Sequence, residues 1–191
     1  VWIKRKEVPM FEKKRYLSIL LGLFLLIGLY ITSLYSFLLF HSLAEIFSIV
    51  VACGIFMLAW NSRHLLDNNY LLFIGIGYLF IGGLDLIHTL AYKGMGVFHG
   101  YSANLPTQLW ISARYMESLS LLGASFFIGH RLRKNLVFLG YFLATAFVLV
   151  SIFHWNLFPI CFIEGVGLTS FKKFSEYMIS LILIASIGML W

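Results

Sequence analysis

Residues 70–92 read YLLFIGIGYLFIGGLDLIHTLAY. The first fifteen of these carry no charge and are almost all apolar or glycine. At about 1.5 Å of rise per residue, the stretch is long enough to cross a hydrocarbon core of about 30 Å as a helix. The apolar run is continuous rather than alternating, which argues against a membrane strand. The run ends on Asp85 and His88, three residues apart. Two ionisable groups at the end of a membrane-length segment need partners or a purpose.

The same pattern recurs along the chain. The 191 residues are 61% hydrophobic and 12% charged, with a mean hydropathy of +0.91. Soluble domains are nearer 45–50% apolar and about 25% charged. Candidate spans are Tyr16–Phe40, His41–Trp60, Tyr70–Tyr92, Thr107–His130, Leu136–His154 and Phe174–Trp191. The expected fold is therefore an all-α polytopic helix bundle of about six spans, with strands unlikely on periodicity. Residues 1–15 form a basic segment ahead of a transmembrane domain over 16–191. The first span is too long and too strongly flanked to be only a signal peptide. Val1 stands where an initiating Met would, and Trp191 falls inside an apolar run, so a longer protein is expected.

Basic residues suggest a side. Lys4, Arg5, Lys6, Lys13, Lys14, Arg15, Arg63, Arg131, Arg133 and Lys134 fall on one face of this topology. Lys93, Lys172 and Lys173 fall on the other. The positive-inside rule then makes the N-terminus cytoplasmic, in the inner (plasma) membrane. Tyr16, Trp60 and Tyr70 mark the inner interface; Tyr92, Trp110 and Trp155 mark the outer one. The net charge of +6 lies at segment ends and speaks for topology rather than nucleic acid. Cys53 and Cys161 make neither a disulfide framework nor a zinc signature. Asn61, Arg63, His64 and Asp67 read as a solvated inner turn. The loop KGMGVFHGYSANLP lacks the spacing of a dinucleotide fingerprint and reads as a flexible or capping connection.

The intramembrane polar residues converge on one depth. His41 and Glu45 open span two, Asp85 and His88 close span three, and Gln108, Arg114 and Glu117 open span four. His154 ends span five. Arg114 and Glu117 lie about 10–15 Å below the mouth of their span. His41 and Glu45 are i, i+4; Asp85 and His88, like Arg114 and Glu117, are i, i+3, so each pair shares a helix face. A charge near the bilayer centre costs at least about 2.5–3.5 kcal/mol, so such groups turn inward and pair. Glu45, Asp85 and Glu117 outnumber Arg114, leaving two negative charges when the histidines are neutral. Protons, protonated histidines or a bound divalent cation would balance them.

Three local pairs could also serve simply as interhelical glue. Imidazole with carboxylates suits a proton relay or a divalent transition metal held by His41, Glu45, Asp85 and His88. Haem between two of His41, His88 and His154 is a further alternative. The spacing matches no known metal signature. Gly75, Gly77, Gly82 and Gly83 give span three a small-residue face for close helix packing, with a hinge at Gly82–Gly83 as the other reading.

Three blocks, FHSLAEIFSIVVACGIFMLAWNSR (40–63), NNYLLFIGIGYLFIGGLDLIHTLAYKGMGVF (68–98) and NLPTQLWISARYMESLSLL (104–122), resemble the third type of bacterial and archaeal membrane-associated sensor domain. The resemblance rests on the H-x-x-x-E of His41 and Glu45, the D-L-x-H-T of Asp85 and His88, and the run from Asn104 through Glu117. It implies a sensory input module, itself without catalytic activity, placed ahead of a cytoplasmic histidine kinase or diguanylate cyclase. Such an output also implies a homodimer, by analogy. On this reading His41, Glu45, Asp85, His88, Gln108, Arg114 and Glu117 receive the signal.

Two other classes compete. A transporter wants polar residues along a full path, broken helices and often an internal repeat, none of which is evident. A metal or haem enzyme would use the same histidines and carboxylates, but no nucleophile motif accompanies them.

Overall fold

The computed structural model describes residues 10–64 and 69–190, with side chains from Arg15 onward. The basic residues at 4–6, the side chains of Lys13 and Lys14, Asp67 and Trp191 lie outside the described residues. Among these described residues six α-helices run in chain order: α1 Met10–Tyr35, α2 Phe37–Asn61, α3 Asn69–Ala91, α4 Asn104–Ala124, α5 Lys134–Phe153 and α6 Ser170–Leu190. The all-α membrane fold expected from the apolar runs is the one observed. A helix suits these segments because lipid offers no partner for backbone N–H and C=O groups.

The chain divides into two compact units, residues 1–44 and 45–191. The first contains α1 and the opening turns of α2. Its apolar side chains are mostly exposed, Phe24 at 73% and Leu34 at 70% among them, as suits a surface meeting lipid. Span one was expected to run to Phe40. The helix instead breaks at Ser36, whose Oγ accepts the Leu39 N–H at 3.3 Å and caps α2. Phe37–Phe40 therefore belong to α2, and His41 lies in its second turn.

In the second unit α3 packs most extensively on α4, and α4 in turn on α6; α5 meets α3. Among the described residues, five helices are long and apolar enough to span a membrane: α1, α2, α3, α5 and α6. Helix α4 falls short of that hydropathy because it is the polar inner helix, burying Gln108, Ser112, Ser118 and Ser120. It also stops at Ala124, followed by a 3₁₀ turn at Ser125–Phe127, rather than continuing to His130.

Glycine decides how closely α2 and α3 approach. A methyl at Gly75 would collide with the Cβ of Ala59, and one at Gly82 would meet the Cβ of Ala52 at 3.2 Å. These two glycines, seven residues apart, face two alanines spaced identically on α2. Gly77 instead faces the Tyr141 hydroxyl. Gly83 faces open space, and α3 runs through it as continuous helix.

The connection from α3 to α4 turns through positive φ at Gly94, Gly96 and Gly100, conformations that cost glycine little. Between α5 and α6 lies a feature that the apolar runs did not announce. Residues Phe162–Ile163 (β1) and Gly167–Leu168 (β2) pair antiparallel, Phe162 opposite Leu168. This short hairpin lies outside the spans, so the expectation of no strands holds only for the membrane segments.

Candidate functional site

Asp85 and His88 sit on the last turns of α3 with relative exposures of 2% and 5%. Their spacing of three places both on the face that α3 turns towards its neighbours. Arg114, from α4, reaches Asp85: its Nη2 donates to Asp85 Oδ2 at 2.5 Å. Its Nη1 donates to Glu117 Oε2, also at 2.5 Å. One guanidinium thus spans two carboxylates on two helices, the forked geometry that arginine supplies and lysine cannot. Tyr78, two turns earlier on α3, donates its hydroxyl to Glu117 Oε1 at 3.1 Å. Both oxygens of Glu117 are therefore engaged, one by each helix.

His88 is held from a different direction. Its Nδ1 lies 2.8 Å from the carbonyl oxygen of Pro106, in the first turn of α4. Its Nε2 faces Glu45 Oε1 of α2 across 3.9 Å. Glu45, Asp85, His88, Arg114 and Glu117 thus come together from three helices. His41 belongs to the other unit and precedes Glu45 by one turn of α2.

Gln108 has a separate task. Its amide nitrogen donates to the carbonyls of Phe158 and Pro159, each at 3.0 Å. Asn104, one turn before it, accepts the backbone N–H groups of Cys161 at 2.8 Å and Phe162 at 3.0 Å. Two amide side chains at the start of α4 so clamp the α5–α6 connection. His154, which closes span five in the sequence, follows the last residue of α5 as its C-cap.

Other features escape the sequence reading. Lys172 was counted with the outer loop, yet α6 begins at Ser170 and Lys172 is 95% buried. Its Nζ sits 3.8 Å from the centroid of the Trp110 ring and 2.6 Å from Glu176 Oε1. Trp110 is accordingly half-buried beneath a cation. The early start has a local cause: Thr169 Oγ1 accepts the Lys172 N–H at 3.3 Å as a helix cap. At the other end, Arg63 stacks on the Trp60 ring at 4.7 Å, so that turn is not merely solvated.

The cluster is charged but tight. A cavity of about 520 Å³ lies elsewhere, lined by Phe73 of α3, by α4 and α5 residues including Met116, Leu119 and Tyr141, and by Phe158 of the α5–α6 connection. None of Glu45, Asp85, His88, Arg114 or Glu117 lines it. The hairpin end contributes one further group. Cys161 is fully buried, and burial pushes its thiol up to about 11, with nearby Lys172 pulling weakly the other way.

Residues 32–191 match the MASE3 family, described as a membrane-associated sensor domain. No curated protein and no solved structure matches the chain. The match takes in α2 through α6 and every residue of the cluster, and the chain belongs to the family of MASE3 membrane-associated sensor domains.

Proposed function

We propose that the chain is the sensory input module of a larger signalling protein, and that the Glu45–Asp85–His88–Arg114–Glu117 cluster receives the stimulus. The observation that carries this reading is Arg114 shared between Asp85 on α3 and Glu117 on α4. A shared guanidinium can favour one carboxylate or the other at little cost in buried charge. A stimulus that protonates, binds or displaces one carboxylate then changes how α3 and α4 hold together. A bundle with two such arrangements responds to whatever binds them unequally.

Helix α4 also packs along α6, which gives the change a route to the last helix. Small helix shifts of about 1–2 Å are an ordinary switching currency. In this reading α6 passes the movement to a cytoplasmic histidine kinase or diguanylate cyclase, the N-terminus is cytoplasmic, and the cluster lies in the outer half of a plasma-membrane bundle. His41 stays in the receiving set on its sequence spacing alone. Gln108 belongs to it as a positioning residue through its clamp on the loop. A homodimer would suit either output.

The test is output activity of the full-length protein carrying Asp85→Asn or His88→Ala, at equal amounts in the membrane. Either variant is expected to shift basal output or its response. Wild-type output from both would leave the cluster a structural device only.

A further inference from the structure

The pairing of Glu45 with His88 has a chemistry of its own. A carbonyl oxygen only accepts hydrogen bonds, so the Pro106 carbonyl fixes the proton of His88 on Nδ1. The neutral ring then turns the lone pair of Nε2 towards the Glu45 carboxylate. Their separation of 3.9 Å exceeds a direct hydrogen bond. It is a separation that an ion can bridge. A first-row dication sits about 2.0–2.2 Å from imidazole nitrogen and carboxylate oxygen, and a tetrahedral angle then holds the two atoms roughly 3.3–3.5 Å apart, so a closure of a few tenths of an ångström would seat one here.

Two further observations point the same way. A metal-binding histidine normally donates its other ring N–H to a carbonyl or carboxylate, which orients the ring and fixes the tautomer. Pro106 does this for His88. The charge balance also calls for a cation. Two carboxylates, Asp85 and Glu117, share the single guanidinium of Arg114, while Lys172 is engaged by its own Glu176. Asp85 Oδ1 is buried and makes no hydrogen bond among the described residues, so one acceptor of the cluster stays unsatisfied one turn from His88.

We propose that Glu45 and His88 form a binding site for a divalent first-row transition metal ion. Imidazole with carboxylate, and no thiolate, suits ions of the zinc type rather than soft monovalent copper. The site names the ligand class of the sensory reading and rests on that reading for its role, though not for its chemistry.

The test uses the full-length protein in lipid nanodiscs with zinc(II) as the probe, read by metal analysis after dialysis and by competition with a chelator. Cobalt(II) supplies an optical readout of the same site. Wild type should bind about one zinc per chain. Glu45→Gln and His88→Ala should each weaken binding at least about 100-fold, the upper end of what losing even an outer-shell partner costs a metal site. His154→Ala should bind like wild type. Glu45→Gln keeps size and shape, so the test survives if His88→Ala fails to fold. Absence of zinc from wild type, or unchanged affinity in Glu45→Gln, would overturn the site. Output that depends on Asp85 in a protein that binds no zinc would overturn the site alone and leave the sensory reading standing.

Discussion

Arg114 and Asp85 meet across the α3–α4 interface through a bond of 2.5 Å between Nη2 and Oδ2. The Asp85 side chain is 3% exposed and that of Arg114 is 22% exposed. Removing one partner of such a buried pair leaves an uncompensated charge, which costs about 3–5 kcal/mol. Arg114→Met should therefore destabilise strongly. Asp85→Asn should cost less, because Arg114 keeps Glu117. The double variant should recover part of the loss, since the orphaned aspartate is gone. Unfolding of the four proteins in detergent gives the coupling, and strict additivity would show that the bond carries no such energy.

Gly75 and Gly83 should respond oppositely to alanine. Alanine is favoured over glycine inside a helix by roughly 0.5–1 kcal/mol. At Gly83 the added methyl meets nothing within 4 Å, so Gly83→Ala should be neutral or slightly stabilising. At Gly75 the methyl meets Ala59, and overpacking of this kind costs about 1–3 kcal/mol. Thermal midpoints of the two variants check this. A loss at Gly83 matching that at Gly75 would count against the α2–α3 packing described.

These two glycines show what the sequence made legible and what it did not. The apolar runs announced the helices, and the small-residue face of α3 announced a close approach. The sequence could not say which glycines met a neighbour, because that depends on the rotation of α3 against α2. The polar cluster behaved alike. Local spacing paired Arg114 with Glu117, but the bond to Asp85 joins residues 29 apart and depends on helix packing. Lys172 was misplaced for a smaller reason: Thr169 caps α6 and draws the lysine into the helix. The clamp of Asn104 on Cys161 and Phe162 acts through backbone amides, which carry no signal in side-chain pattern.

That clamp has a measurable cost. Asn104→Ala would leave the Cys161 and Phe162 N–H groups without their acceptor, at about 1–3 kcal/mol where the groups are buried. Amide hydrogen exchange around 158–162 should quicken well before the helices are affected. Exchange unchanged from wild type would mean that the connection is held by other contacts.

Cys161 supplies a pH dependence. Burial raises its thiol from an ordinary value of 9.0 to about 11. The unfolded chain therefore loses this proton at lower pH than the folded one. The stability the buried thiol contributes is complete below about 9 and is lost as pH rises through about 11. In a Cys53→Ser background, stability should fall across that window, and a Cys161→Ser variant should lack this part of the fall. Alkylation of Cys161 at pH 7.5 should also be far slower than that of a free thiol, because the thiolate is the reactive form. Rapid alkylation at that pH would contradict a buried, protonated thiol.

The relay from the cluster to α6 can be measured without knowing the output. Spin labels at residues 71 and 187 replace Leu71 on α3 and Ile187 on α6, both exposed, in a Cys53→Ser, Cys161→Ser background. Pulsed dipolar distances are then compared between this protein and its Asp85→Asn variant in nanodiscs. A sensory bundle predicts a shift in the mean or the populations of about 1–2 Å, at unchanged helical content. Superimposable distance distributions would contradict it, leaving Asp85 and Arg114 as a bond that holds two helices and reports nothing.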